Sequence, residues 1–206
     1  MGKLELRPAN HSDIEYLYEL RNDELVIANS ISNERPNKLD HAAWFEKKLN
    51  DQFCFFYIGV MENAKVGFVR FDVDAQEQNA IISIALSDNF RGRGLAKRIL
   101  ADAISKFRLT KTCVLIAKVK ASNIASKKCF EDCGFVIYGV QDNVVLLKNK
   151  DIVIDAIQKV RSRNNVNWMD LMRLAFRTAP SEAEKIFLSI GSDDNEISSL
   201  LRKLTH

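Results

Sequence analysis

The stretch that most constrains this chain is Leu86-Ser-Asp-Asn-Phe-Arg-Gly-Arg-Gly-Leu-Ala-Lys-Arg-Ile-Leu100. An apolar, strand-like run ends at Leu86, a polar turn follows, and a helical pattern starts near Leu95. Gly92 and Gly94 let the backbone bend sharply and keep side chains out of the way. Successive N–H groups in such a turn converge on an anion. The positive end of the following helix dipole adds to them, and Arg91, Arg93 and Lys97 bring full charges. The stretch reads as a diphosphate cradle. It is not a Walker A loop, because the Gly-Lys-Ser/Thr ending is absent. A Rossmann fingerprint fits no better, lacking a convincing third Gly or Ala and a downstream acidic ribose ligand.

A second stretch follows in order. Cys113-Val-Leu-Ile-Ala-Lys-Val-Lys120 reads as a strand, and Asn123-Ile-Ala-Ser-Lys-Lys-Cys-Phe-Glu-Asp-Cys-Gly-Phe135 as a helix. Asn123 is a good N-cap, and Gly134 is placed to end the helix in a left-handed conformation. The Arg-x-x-Gly-x-Ala of Arg91–Ala96 and the Asn-x-x-Ser and Gly-Phe of 123–135 resemble the two signatures of the GNAT acetyltransferase superfamily. The resemblance runs from about Leu4 to Lys148. It implies acetyl-CoA as co-substrate and no metal. Arg91, Gly92, Arg93, Gly94, Leu95, Ala96 and Lys97 would bind the pyrophosphate. The pantetheine arm would borrow backbone groups of Ile84, Ala85 and Leu86 where the sheet splays, with the Leu86 N–H as oxyanion donor. Asn123 would contact the same arm.

Two positions depart from that family pattern. Phe130, counted among the cofactor contacts, stands where many members have a Tyr as general acid, and Lys118 where some have a Glu as base. Tyr138 is one substitute acid, water another. A CoA thiol, with a pKa near the Cys value of roughly 8.5, does not require a dedicated acid. The base then comes from water or elsewhere, and His41 and the Asp72/Asp74 pair, whose members share one strand face, are the candidates. On the acceptor side, Arg21, Asn29, Trp44 and Arg70 are candidate substrate contacts, the indole suiting a sugar or base ring.

Taken in order, Leu4–Pro8 alternates as a strand, Ser12-Asp13 caps a helix through Glu19 or beyond, and a short helix or turn covers Leu25 to Asn29. The polar segment 30–39 is a loop, and Asp40 caps a helix from His41 to Leu49. Strands are expected at 53–61, 66–74, 79–86, 113–120, 136–140 and 144–147. The order gives an α+β GNAT fold with a mixed, mostly antiparallel sheet over 1–149, and a small all-α appendage over 150–206. Helices are expected there at 151–163, 168–179, 181–190 and 195–204. The apolar face of Trp168, Leu171, Met172, Leu174, Ala175 and Phe176 must bury against something, its own domain or a homodimer partner.

The mild formal charge of +3 argues against nucleic acid as a partner. Four cysteines lack CxxC spacing, so zinc is not expected. No signal peptide or membrane-length apolar run is visible, so a cytoplasmic protein away from the membrane is the expectation. The segments around Arg21, Asn29-Ser30, Trp44-Phe45, Gly67–Asp72 and Ala117–Ser126, with the tail Asn167-Trp-Met-Asp-Leu-Met-Arg-Leu-Ala175, resemble the PseH-type subgroup. That subgroup implies a UDP-linked 4-amino-deoxysugar as acceptor, with Arg21, Arg35 and Arg70 as a basic patch for its diphosphate. Two other readings stay open. The Arg7-Pro8…Asp13 pattern is shared with ribosomal-protein-type N-terminal acetyltransferases, and Phe130 with Lys118 would suit a non-catalytic acyl-CoA-binding module.

Overall fold

The computed structural model describes residues 3–149, 168–175, 177–186 and 188. The helices expected at 151–163 and 195–204 lie outside them. The chain divides into two compact units, 1–154 and 155–206. In the second, residues 168–175 and 177–178 are helical, residue 179 breaks the run, and a helix resumes at Pro180, whose fixed φ suits a first helical position. Trp168, Leu171 and Leu174 are exposed there.

The first unit is built on seven strands in the order β1-β2-β3-β4-β5-β7-β6. They are β1 (Leu4–Pro8), β2 (Cys54–Met61), β3 (Ala64–Val73), β4 (Asn79–Leu86), β5 (Val114–Lys120), β6 (Val136–Gln141) and β7 (Val144–Asn149). Among the described residues only β4 and β5 run parallel, because α4 (Leu95–Arg108) carries the chain back between them. The β2–β3 turn uses Glu62 and Asn63 at positive φ, the demand of a tight two-residue hairpin.

Alternation along β3 sorts its side chains to two cores. Val69 and Phe71 face one layer, where α4 presents Leu95, Ile99, Leu100, Ala103, Ile104 and Phe107 at helical spacing. Phe71 stacks on Phe107 at 4.4 Å. Phe107→Ala would cost about 3–5 kcal/mol by the usual cavity penalty. Phe68 faces the other layer, packing on the cluster of Leu17, Phe45, Phe56 and Ile58 beneath α1 (Ile14–Arg21) and α3 (Lys38–Leu49).

Two helix starts differ from expectation. Asn10, not Ser12, caps the first turn, accepting from the Ser12 N–H at 3.0 Å. Asp13 is fully buried instead, held by Arg7 through two bonds of 2.7 Å and by Lys65 at 2.7 Å. Burial alone would raise its pKa, but those cations and the Asn10 N–H bring it down to about 2. The Arg7-Pro8…Asp13 pattern thus has a structural use, tying β1 to the first helix. For α3, Asn37 takes the cap three residues before the expected Asp40, accepting from the Asp40 N–H at 2.8 Å. Both residue types cap well, and Pro36, which has no N–H, precedes the one that wins. The remaining short helix, α2 (Glu24–Asn29), is capped by Asp23.

Candidate active site

The site begins where β4 and β5 part. Their pairing covers Asn79–Ile82 against Val114–Ala117 and then stops, although β4 runs on to Leu86 and β5 to Lys120. On its other side β4 stays paired with β3 as far as Leu86. The Ser87 N–H donates to Val66 O at 2.9 Å, so positions 87 and 85 turn their backbone groups to β3. By the same alternation Ile84 and Leu86 turn theirs into the gap. Of the three expected backbone contacts, Ile84 and Leu86 therefore face the gap, and Ala85 does not, because β3 already holds it. Gly67 permits that close pairing: a Cβ there would overlap the Ala85 carbonyl oxygen and lie 3.0 Å from the Leu86 Cα.

At the mouth of the gap, Gly92 and Gly94 both adopt φ of 71°. Gly94 is the N-cap of α4, and no side chain caps that end. The first-turn N–H groups of a 14-residue helix thus open toward the cleft. Across from them, α5 (Ile124–Glu131) starts at Asn123, whose side chain accepts from the Ser126 N–H at 3.0 Å. Gly134 closes it at φ 82°, as the sequence predicts.

The charges around the loop are used differently than expected. Arg91 is not free for an anion. Its guanidinium donates to Leu86 O at 3.0 Å, to Asp23 at 2.7 Å and to Asp88 at 3.2 Å. Arg93 lies over the Phe90 ring and Lys97 sits 3.9 Å from Asp132, and neither side chain lines the cleft. What the gap and loop present to the cleft, the candidate donor side, is thus chiefly main chain.

A cleft of about 1140 Å³ joins this gap to a second half, the candidate acceptor side, built by α1, α2, α3 and the floor of β2 and β3. His41 lines it at 4% exposure, and its Nδ1 has no hydrogen-bond partner among the described residues. The ring packs between Tyr18, 5.6 Å away, and Trp44, 5.4 Å away. Burial, helped by the nearby Arg21 charge, holds its pKa below the ordinary histidine value. Arg21 donates through one nitrogen to Ser32 at 3.0 Å, while its buried Nη1 has no partner among the described residues. Burial draws its pKa down, with Glu34 pulling the other way. Arg70 lies 4.9 Å over the Trp44 ring and is bonded to Asp72 at 2.8 Å. Asn29 closes α2 at the cleft wall.

The structure brings His41, Arg21, Asn29, Trp44 and Arg70 together, and leaves the other two catalytic candidates elsewhere. Asp72 does not line the cleft and is held by Lys48 at 2.6 Å and Arg70. Burial opposes its ionisation, but those two cations win and lower its pKa, which makes it a poor base. Tyr138 is on the outermost strand β6, 43% exposed, under the Lys148 ammonium. It is no part of the cleft, because the edge strand is separated from β5 by β7. Phe130 does line the cleft, but at 2% exposure it is anchored against Phe135 in the core. Phe45 is wholly buried in the α3 layer and offers no stacking face.

Phe56, Phe68 and Cys129 also line the cleft, and sequence reasoning did not single them out for it. The alternation that puts Phe68 beside Arg70 on one strand face was the available signal. Among the described residues no group of His, Cys, Asp and Glu is arranged to hold a metal ion, and no helix is long and apolar enough to cross a membrane.

The family model for the acetyltransferase (GNAT) domain matches residues 3–136. The chain belongs to the GNAT acetyltransferase family. No curated protein matches this GNAT chain by sequence. Solved structures resemble it in fold. The spermidine N-acetyltransferase of Vibrio cholerae, in complex with CoA and spermine, is 16% identical at TM-score 0.62, over 70% of this chain and 92% of that one. AAC(6')-Ib with ribostamycin and coenzyme A is 18% identical at TM-score 0.63, over 71% and 93%. A ribosomal-protein α-N-acetyltransferase with coenzyme A is 17% identical at TM-score 0.62, over 71% and 93%.

Proposed function

We propose that this GNAT enzyme transfers the acetyl group of acetyl-CoA to the amino group of a nucleotide-linked amino-deoxysugar. The observation that carries the reading is the charge of the acceptor half. Arg21, Arg35, Arg70 and Lys118 line that half against Glu34 and Asp40, and while Glu24 and Asp72 offset Arg35 and Arg70, Arg21 and Lys118 have no ion pair among the described residues. Spermine and ribostamycin, bound in two of the similar structures, are polycations, and such a lining disfavours them. A buried guanidinium with an unmet donor instead suits an anionic oxygen. Trp44 and the phenylalanine floor suit the apolar face of a sugar or base.

The chemistry follows from residues in place. Acetyl-CoA would be held by the 92–96 backbone, Asn123 and the gap-facing groups of Ile84 and Leu86, and it supplies an acetyl group activated as a thioester. The Leu86 N–H points into the gap and is placed to stabilise negative charge on a carbonyl oxygen. Its own carbonyl is already occupied by Arg91. The acceptor amine must lose a proton, and the positive lining favours its neutral form. His41, kept neutral by burial and Arg21, takes that proton at an imidazole nitrogen. No dedicated acid is needed for the thiolate, and the buried Phe130 supplies none.

The test is acetyl-CoA turnover, read as free thiol release, against UDP-4-amino-sugars, free amino sugars, polyamines and N-terminal peptides. Turnover concentrated on the nucleotide sugars is expected. Preference for polyamines or peptides would overturn the reading.

A further inference from the structure

A second cavity, of about 600 Å³, lies beyond β5, between the 28–33 segment and the β6–β7 turn. It shares Lys118 and Ile31 with the main cleft as a common wall. Its volume lies within the usual range for small-ligand sites. The remaining lining is mostly polar: Asn33, Ser122, Gln141 and Asn143 offer amide and hydroxyl groups of both senses, and Asp142 on the β6–β7 turn adds one carboxylate at the end away from the main cleft's wall.

The cations of the two cavities differ in what already occupies them. Arg91, Arg70 and Arg35 are ion-paired, with Asp23, Asp72 and Glu24 respectively. Lys120 donates to Ala28 O at 2.7 Å and to Asn33. Lys118 has neither an ion pair nor a hydrogen bond among the described residues, and it stands at the first position where β5 has left β4. A flexible ammonium on a wall between two cavities fits an anionic group lying across that wall.

We infer that the second cavity is the far subsite of the acceptor: Lys118 binds the diphosphate of a nucleoside diphosphate whose base and ribose lie beyond it. The inference rests on the nucleotide-sugar reading above and assigns its two ends. The amino sugar sits by His41, and the nucleoside sits against Asn33, Gln141 and Asn143. It also gives the departure from the family's Glu at position 118 a use in binding.

The test pairs two variants with two readouts. Lys118→Gln removes the charge, and Gln141→Trp, at an exposed position, fills the cavity away from the donor loop. The first readout is binding of UDP alone by titration calorimetry with CoA present. Lys118→Gln is expected to weaken it about tenfold or more, the loss of one hydrogen bond between charged groups, and Gln141→Trp to abolish it. The second readout is KM for a nucleotide-linked amino sugar, which is expected to rise in both variants without a matching rise in KM for acetyl-CoA. No UDP binding by the wild-type protein, or binding and KM unmoved by both variants, would overturn the subsite. A rise confined to KM for acetyl-CoA would overturn it too, placing Lys118 on the donor. UDP binding lost in the variants, with no turnover of nucleotide sugars by the wild type, would keep the subsite and sink the acceptor reading instead.

Discussion

The two halves of the cleft are made of different material. The donor half consists of main chain: a gap between strands, two glycines at positive φ and an uncapped helix end. The acceptor half consists of side chains from three helices and two strands, brought together across the second core. Main-chain sites depend on local conformation, so they tolerate changes in nearby side chains. Side-chain sites depend on packing and respond to single substitutions. The variants below should therefore separate the halves by which kinetic constant moves.

The largest effect is expected at His41. His41→Ala should lower kcat by about 10²–10⁴, the usual worth of a positioned base, and leave KM for acetyl-CoA in place. In the native enzyme kcat/KM should fall on the acid side with a midpoint below about 6.5, the ordinary histidine value, because burial lowers the His41 pKa. That limb should vanish in the variant. Stability should follow the same sign. The unfolded chain protonates His41 at higher pH than the folded one, so stability is lost as pH falls through that window. Asp72→Asn is the control, and an acid limb that moved with it would reassign the base.

Gly67→Ala tests the donor half through its backbone. The new Cβ meets the Ala85 carbonyl, and overpacking of this kind costs about 1–3 kcal/mol. A lowered melting temperature is expected, with kcat falling as the Leu86 N–H shifts. Arg21→Gln should raise the acceptor KM about tenfold, as one charge-assisted contact is worth, and spare the donor KM. The smallest change belongs to Lys97→Ala. Its side chain does not line the cleft and its 3.9 Å contact with Asp132 is exposed, so the acetyl-CoA KM should shift only a few-fold.

The same difference in material governs what could be read from the sequence. Gly92, Gly94, Asn123 and Gly134 act within a few residues of themselves, through φ values and caps, and each is where the residue type predicts. The strands followed from clear periods, whereas the splay was what the family resemblance implied. The acceptor half depends on distance in space. Arg91 looks like a phosphate ligand beside two glycines, and its partner Asp23 lies 68 residues away. Asp72 looks like a base until Lys48, 24 residues earlier, is found on it. Tyr138 looks available until the strand order puts β7 between it and β5. His41 was legible as a candidate by its pKa alone. Its burial between Tyr18 and Trp44, and the unmet Nη1 of Arg21 beside it, were not.

Arg91 holds Leu86 O of the donor strand with one nitrogen and Asp23, the residue that starts α2, with another. An ion pair that bridges the two substrates' halves couples the order in which they arrive. Acetyl-CoA settling along β4 would steady the helix that the acceptor must meet, so the rate law should be sequential with acetyl-CoA leading. CoA should then compete with acetyl-CoA and not with the acceptor, and Arg91→Ala should loosen that order toward random arrival.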